Sequence, residues 1–566
     1  MHVHSKFKRN SEVRDLYFID PVRTMTEKTH RLDEALAAAE AYMNDGYYVI
    51  SAVTYESFAP EGEQFIIGVF EDECDHATFM GAREAGAYEM TEPEFTQSRD
   101  EIIQNIEQVR EYIRDGHTYQ VNYTTRLKGK FRGDGHTLFE TLMSSNNGDY
   151  AMYIEYGDEQ IISCSPELFF EVDADRTIRT RPMKGTAPRG RSRSEDEENR
   201  MFLKESKKDM AENVMIVDLL RNDISKVAAK NSVSVPALFT IEEYATVFQM
   251  TSTVEAELKE GAGINDIMAG LFPCGSITGA PKTSTMNIIN ALEATERKYY
   301  CGTLGIMYPG GEMVFNVPIR TLYIDGGEYV YGAGGGITYD SIPASEYDEI
   351  VAKTAFLKNA QFELIESMRL EDGVVARIDT HAARLRSSAE NFNFKPADFT
   401  GKVRHYVESR VLMDGLYKLR VTQDQHGDLK ISHAPISDEG AARALLHQEP
   451  MSGVPEFIEN KTTVRYHYKI PDDDFKIVLY YNEKRQLTEF NIGNLVIQEE
   501  GEYFTPSLNT GILNGVMRRT LLDEGKVTEK DYIVDDFIEK YEAGRISVHM
   551  INSVRGWLKI RLTIQR

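Results

Sequence analysis

Two acidic stretches with helical spacing are the first candidates for chemistry. In KKDMAENVMIVDLLRNDISKVA, Asp209 and Glu212 stand three residues apart, which places both carboxylates on one face of a helix. Met210, Val214 and Val217 form one apolar stripe of that helix and Met215, Ile216 and Leu219 another, so burial on two sides is expected. SEYDEIVAK repeats the device, with Glu346 and Glu349 three apart and Lys353 four further along the same face. One acidic face is ordinarily a solvated face. Two that converge can hold a hard cation such as Mg²⁺, which takes a few carboxylates together with substrate oxygens. Lys353 would then help to hold an anion bound to that metal.

A second set consists of a lysine, an acid and anion-binding turns. In TRPMKGTAPRG, Lys184 sits between a proline-stiffened approach and a glycine turn, although most lysines simply face water. SPELFF places Glu167 in an apolar strand, where desolvation favours the protonated acid. A carboxyl kept protonated near a lysine is a candidate general acid beside a nucleophile. FPCGSITGAPKTST and YGAGGGITYDS match neither a Walker A loop nor a dinucleotide fingerprint, yet their glycines would let backbone N–H groups approach an anion. KYYCGTLGI and FNVPIRTLYI supply Tyr300 and Arg320, and arginine is the natural bidentate partner of a carboxylate.

These residues need elements to position them, and the composition supplies the material. The 566 residues are 41% hydrophobic, enough for two to four domains with real cores. No apolar run approaches the ~18–20 residues that span a bilayer, and MHVHSKFKRN lacks the apolar stretch of a secretory signal, so a cytoplasmic protein is expected. A formal charge of −26 disfavours nucleic acid and anionic lipid as partners. An anionic substrate must therefore be drawn in by a local pocket. Cys74, Cys164, Cys274 and Cys301 show no metal spacing and read as reduced, mostly packed thiols. Strand-like runs (YYVISAVTYESF, QFIIGVF, AMYIEY, IISCSPELFFEV) interleave with helical ones, which favours an α/β or α+β class. From Phe362, FELIESMRLEDGVVARID reads as strand, turn and strand, with no Gly/Ser or Pro linker before it.

The ordered motifs YQVN (Tyr119–Asn122), SPEL (Ser165–Leu168), RPMKGT (Arg181–Thr186), AENVMIVDLLRND (Ala211–Asp223), GSITGAPK (Gly275–Lys282), IRT (Ile319–Thr321) and GAGGGITYDS…SEYDE…K cover about 340 residues. Over residues 10 to 357 the chain resembles the chorismate-utilising enzymes, most closely the branch of aminodeoxychorismate synthase component I. The resemblance implies a two-sheet sandwich with outer helices, formed by an N-terminal subdomain, 1–95, and a catalytic domain, 96–357. It further implies that Glu212 and Glu349 ligate Mg²⁺, which holds the ring carboxylate of chorismate. Tyr300 and Arg320 would bind the enolpyruvyl carboxylate, with Ser276, Gly334 and Lys353 completing the anion site. Glu167 would protonate the departing 4-hydroxyl. Lys184 is the discriminating residue: in the aminodeoxychorismate branch a lysine here attacks C2, and ammonia enters at C4, whereas anthranilate synthases carry a small residue. Gln249 departs from several relatives, which have histidine there. Glutamine cannot shuttle a proton at neutral pH, so only a hydrogen bond to substrate remains for it. No region is left for a glutamine amidotransferase, so ammonia would come from solution or a separate glutaminase subunit.

Beyond residue 358, FELIESMRLEDGVVARIDTHAARLRSSAENFNF reads as a hairpin leading into a helix, with His381 and Arg384 three apart near the helix start that favours phosphate. NKTTVRYHY, LTEFNIGNLVI, YFTPSLNTGILNGVMRRTL and VHMINSVRGW follow. This part, 358–566, resembles fold-type IV pyridoxal-phosphate enzymes, specifically aminodeoxychorismate lyase and its aminotransferase cousins. The resemblance implies that Lys461 carries pyridoxal 5′-phosphate and moves protons at the substrate carbon, and that Glu489 hydrogen-bonds the pyridine nitrogen. Arg384 would hold the phosphate with the backbone N–H groups of Val516, Met517, Ser553 and Val554; Arg420 and Arg518 could as easily be structural. A homodimer through this domain is compatible with the family. The two halves together point to 4-aminobenzoate formation with loss of pyruvate. An aminotransferase or a non-catalytic dimerisation domain in the second half, and anthranilate synthesis in the first, are the alternatives.

Overall fold

The computed structural model describes residues 1–9, 12–83, 86–145, 148–189, 193–243, 247–360, 362–392, 394–410, 414–436, 441–451, 455–465, 467–470 and 475–564, which form two compact units, Met1–Ala360 and Gln361–Arg566.

In the first unit two ten-stranded antiparallel sheets pack through one apolar layer, and helices cover the outer face of the second sheet. Period-two alternation explains why its strands are apolar without interruption. In Tyr48–Val53, Val49 and Val53 join the cluster under the helices, while Ile50 and Ala52 join the layer between the sheets. Phe65–Phe70 divides in the same way, Phe65, Ile67 and Val69 against Ile66 and Phe70. Residues 1–95 contribute strands to both sheets: His2–Arg9 and Glu12–Phe18 to one, Arg23–Thr26, Tyr48–Val53 and Phe65–Phe70 to the other. The mixed strand and helix content agrees with the expected α/β (α+β) sandwich.

Helix Lys207–Ser225 begins at Ser206, whose hydroxyl accepts the Asp209 backbone N–H. Its buried stripe is Asn213, Ile216, Val217, Leu220 and Ile224, a single face at i, i+3, i+4 spacing. Burial of both apolar stripes is thus corrected: Val214 is 41% exposed, because it lies on the side of the helix turned away from the sheet on which the helix packs. All four cysteines are free, three of them buried.

The second unit joins a four-stranded antiparallel sheet to an eight-stranded mixed sheet. Strand Leu364–Glu371 turns back through Asp372 and Gly373, at φ 46° and 78°, into Val374–Val375. Two positive φ values in a two-residue Asp-Gly loop give the primed turn that suits strand twist. Helix Ile378–Asn391 packs on that strand, and the eight-stranded sheet carries its own core, with Leu479, Leu495, Phe537, Met550 and Leu558. Among the described residues no helix is long and apolar enough to cross a membrane.

Candidate functional site

Lys184 stands on strand Met183–Pro188 at a break in its register. Met183 pairs with Thr251 and Thr186 with Gln249, so Lys184 and Gly185 form a bulge opposite Met250. Gly185 has φ +92°, and a Cβ there would lie 2.8 Å from Asp209 Cβ on helix Lys207–Ser225. Only glycine lets the strand approach that helix. Gln249 fastens the bulge from across the ladder: Nε2 donates to Gly185 O at 2.8 Å, and Oε1 accepts from Thr186 Oγ1 at 2.8 Å. Its amide therefore holds the backbone that carries the lysine, a role the sequence did not show.

The lysine amine donates to the carbonyl of buried Ser276 at 3.4 Å. Glu167, buried in the link between strands Glu159–Ser165 and Leu168–Val172, is hydrogen-bonded by the Ser276 side chain. Burial pushes the Glu167 carboxyl toward its protonated form, against that hydrogen bond and the Lys184 charge. Burial also pushes the Lys184 amine toward its neutral form; Glu167 opposes this and Lys353 adds to it. The structure therefore brings together an acid biased to hold its proton and an amine biased to release one.

The acidic helix faces meet beside them. Glu212 is biased toward protonation first by burial, with Lys208 and Lys184 opposing and Asp209 and Glu346 adding. Glu349, on the exposed side of its helix, is biased toward its ionised form because Lys353, 2.8 Å away, outweighs its partial desolvation. Lys353 Nζ also donates to Gly334 O at 2.8 Å. A Cβ at Gly335 would stand 3.5 Å from both Glu349 Oε1 and Lys353 Nζ and 3.9 Å from Glu346 Oε2. The carboxylates thus border a gap that a side chain would fill, and an all-oxygen donor set of this kind suits Mg²⁺.

The expected carboxylate-binding residues lie along the adjoining strand Glu328–Ile337. The buried Tyr300 ring occupies the place a Cβ at Gly332 would take, 2.2 Å from it, so this glycine exists to admit the tyrosine. Arg320 has φ 52°, and among the described residues no carboxylate pairs with it. Its charge acts on Tyr331, whose hydroxyl donates to Lys353 O at 3.3 Å. Gly334 pairs with Thr124, and a Cβ there would meet Tyr123 O at 2.3 Å.

In the second unit Lys461 is half-buried, and its amine falls from an ordinary 10.5 to about 7. Burial is the main cause; Arg384, Arg465 and Lys418 add to it and Glu366 opposes. Glu489 is raised from 4.5 to about 7 by burial, although Leu513 N (3.0 Å), Tyr468 Oη (2.8 Å) and Asn494 Nδ2 (3.0 Å) all donate to it. Arg384 is held by two bonds to buried Glu366, at 2.8 and 2.6 Å, and reaches Asn514 O at 3.4 Å, just before helix Val516–Asp523. Val516 and Met517 open that helix, where first-turn N–H groups lack intrahelical partners. The Val554 amide, however, donates to Asn552 Oδ1 at 3.1 Å, so in this structure it is already taken; Ser553 lies beside it in the same turn. Arg518 is buried and bridges Pro506 O and Glu529 Oε1. His381 Nδ1 bonds Glu366 at 2.6 Å, while its buried Nε2 has no hydrogen-bond partner. An amine held near neutral, an arginine at a helix start, a buried carboxyl and an orphaned ring nitrogen fit a phosphorylated pyridine aldehyde.

Sequence reasoning missed Glu366, Lys418 and Arg465. Their only signal was charge within otherwise apolar or alternating strands and loops.

A family model for chorismate binding enzyme matches residues 40–359. This chain belongs to the chorismate binding enzymes. A second model, amino-transferase class IV, matches residues 363–563. The chain is 40% identical over 256 residues to aminodeoxychorismate synthase component 1 of Escherichia coli, covering 45% of this chain and 56% of that relative. It is 38% identical over 268 residues to an anthranilate synthase component 1 of Haloarcula marismortui, covering 47% and 55%. The chain thus spans about half the length of the curated relatives it matches. The menaquinone-specific isochorismate synthase of Escherichia coli shares the fold, with a TM-score of 0.53 and 17% identity over 63% of this chain and 88% of that one.

Proposed function

We propose that the first unit converts chorismate and ammonia to 4-amino-4-deoxychorismate and that the second eliminates pyruvate from it to give 4-aminobenzoate, serving folate synthesis in the cytoplasm. The observation that carries the first step is Lys184, presented on a glycine bulge beside Glu167 and the Ser276 turn. Its amine, biased toward neutral, attacks C2 while the Glu167 carboxyl gives its proton to the departing 4-hydroxyl. Ammonia then enters at C4 and the lysine leaves. A small residue could not perform this step, which favours the aminodeoxychorismate branch over the anthranilate one. Glu212 and Glu349 would hold Mg²⁺, which supplies charge for the ring carboxylate, and Arg320, Tyr300, Ser276, Gly334 and Lys353 would bind and orient the carboxylates. A separate glutaminase subunit would supply ammonia.

Arg384, with the amides of Val516, Met517 and Ser553, would hold the phosphate of pyridoxal 5′-phosphate, and Glu489 would face its ring nitrogen. The bound cofactor would supply an electron sink for carbon–carbon double-bond formation. Lys461, near neutral at pH 7, takes and returns the substrate-carbon proton. Lys418, depressed by burial and by Arg420, Arg555 and Arg465, marks a cationic wall in a chain of charge −26. Such a wall suits a substrate with two carboxylates and favours elimination from aminodeoxychorismate over transamination of an apolar amino acid. Incubation with chorismate, Mg²⁺ and ammonium, followed by product identification, tests both halves. Anthranilate as product would sink the first, and a keto acid without 4-aminobenzoate the second.

A further inference from the structure

Strand His2–Arg9 and helix Gly135–Ser145 bring together three side chains that neither site uses. His4 Nδ1 lies 3.0 Å from His136 Nε2 and 3.2 Å from Glu140 Oε1, and the latter two atoms are 3.9 Å apart. A triangle with these edges has a point about 2.0 Å from every corner, the length of a bond from zinc to an imidazole nitrogen or a carboxylate oxygen. Among the described residues no other group brings three potential ligand atoms within 4.8 Å of one another.

The surroundings favour a cation over hydrogen bonds alone. The far nitrogen of His4, Nε2, is 2.7 Å from Asp15 Oδ1, which directs the ring proton there and leaves the Nδ1 lone pair facing the triangle. The proton on His136 Nε2 can satisfy one acceptor, and His4 Nδ1 would still face the Glu140 carboxylate at 3.2 Å. A second proton on His4 would close that gap with one positive charge. The local balance calls for two: Asp15, Glu140, Asp134 and Glu155 surround the cluster, against Lys6, which pairs with both Asp15 and Glu140, and Arg83, which pairs with Asp134 and Glu155, while His2 also bonds Glu155. Phe79 and Phe139 pack on both imidazoles and keep the rings dry, where an unbalanced carboxylate is costly.

We propose that His4, His136 and Glu140 bind a first-row divalent cation of the zinc class, with Asp15 as the outer partner of His4, tying strand His2–Arg9 to helix Gly135–Ser145. The site is independent of the proposed reactions. The full chain, stripped with chelator and then given Zn²⁺ in excess Mg²⁺, should retain one equivalent of zinc after gel filtration, measured by elemental analysis. Zinc should also raise the unfolding midpoint beyond the Mg²⁺ value. Glu140→Gln and His136→Ala should each lose the equivalent and the shift. Glu140 is partly exposed, so its variant carries the test if His136→Ala does not fold. A parent protein that retains no zinc, or a folded variant that retains as much as the parent, would overturn the site.

Discussion

Lys184 and Lys461 are both drawn toward the neutral amine by burial, yet their neighbourhoods have opposite sign. Lys184 faces Glu167 and Glu212, which pull it back toward the ammonium form whenever they are ionised, against Lys353. Lys461 faces Arg384, Arg465 and Lys418, with Glu366 alone in opposition, and falls to about 7. The difference matches what each site would hold under the proposed function. Carboxylates in the first unit surround a gap suited to a metal that would carry the substrate's negative charge. In the second unit Lys461 is held near neutral among cations, which under the proposed function would meet the substrate's negative charge directly. Under the proposed function an acidic chain would recruit anions by two routes, a metal ion or a wall of cations.

The largest test of this division is to remove each lysine. Lys184→Ala should lower aminodeoxychorismate formation by a factor on the order of 10³ or more, with the carboxylate site intact. Lys461→Ala should leave that step active, so that aminodeoxychorismate accumulates and an added independent lyase restores 4-aminobenzoate. Parent-rate 4-aminobenzoate from Lys461→Ala would end the assignment of the second site. Borohydride should fix the cofactor on Lys461; peptide mapping that finds it on another lysine would do the same.

Metal dependence should separate the halves next. Excess chelator should stop the first reaction and spare the second when aminodeoxychorismate is supplied. Glu212→Gln and Glu349→Gln should each raise the Mg²⁺ needed for half-maximal rate, since each removes one anionic oxygen. Equal chelator sensitivity of the two reactions would break the contrast.

A smaller effect tests the bulge. Gln249→Ala should lower kcat of the first reaction about 10- to 10²-fold with little change in KM, because it frees the backbone that aims Lys184 while the substrate-binding residues stay in place. An unchanged kcat would return Gln249 to a packing role.

The smallest effect is on stability, read in cofactor-free protein by calorimetry across pH. Lys461 has its proton affinity lowered from 10.5 to about 7 on folding, so the unfolded chain holds the extra proton between those values and stability rises with pH across that window. Glu489 is raised from 4.5 to about 7, so the folded chain holds the extra proton there and stability falls as pH rises from 4.5 to 7. Lys461→Met should remove the upper rise and Glu489→Gln the lower fall. Profiles that match the parent would mean that neither group is buried as described.

The sequence by itself determined the class of the fold, through apolar runs whose alternate residues serve two layers, and it named the candidate site residues, because their motifs are contiguous. RPMKGT names both the lysine and the glycine that its bulge requires, and LEDGVV names its own turn. Even locally the limit was visible: the helix around Glu212 carries two apolar stripes, and only packing decided that its buried face takes Val217 from one and Ile216 from the other while Val214 stays exposed. The tertiary structure alone decided which distant groups set the charge of each site. Gln249 is 65 residues from Lys184 and Glu366 is 95 from Lys461, and no local spacing links either pair. His4 and His136 meet only because strand His2–Arg9 pairs beside Tyr150–Tyr156, where helix Gly135–Ser145 crosses. Contacts of this kind depend on ladder register and on which face of an element is buried, and these are settled when sheets and helices pack together.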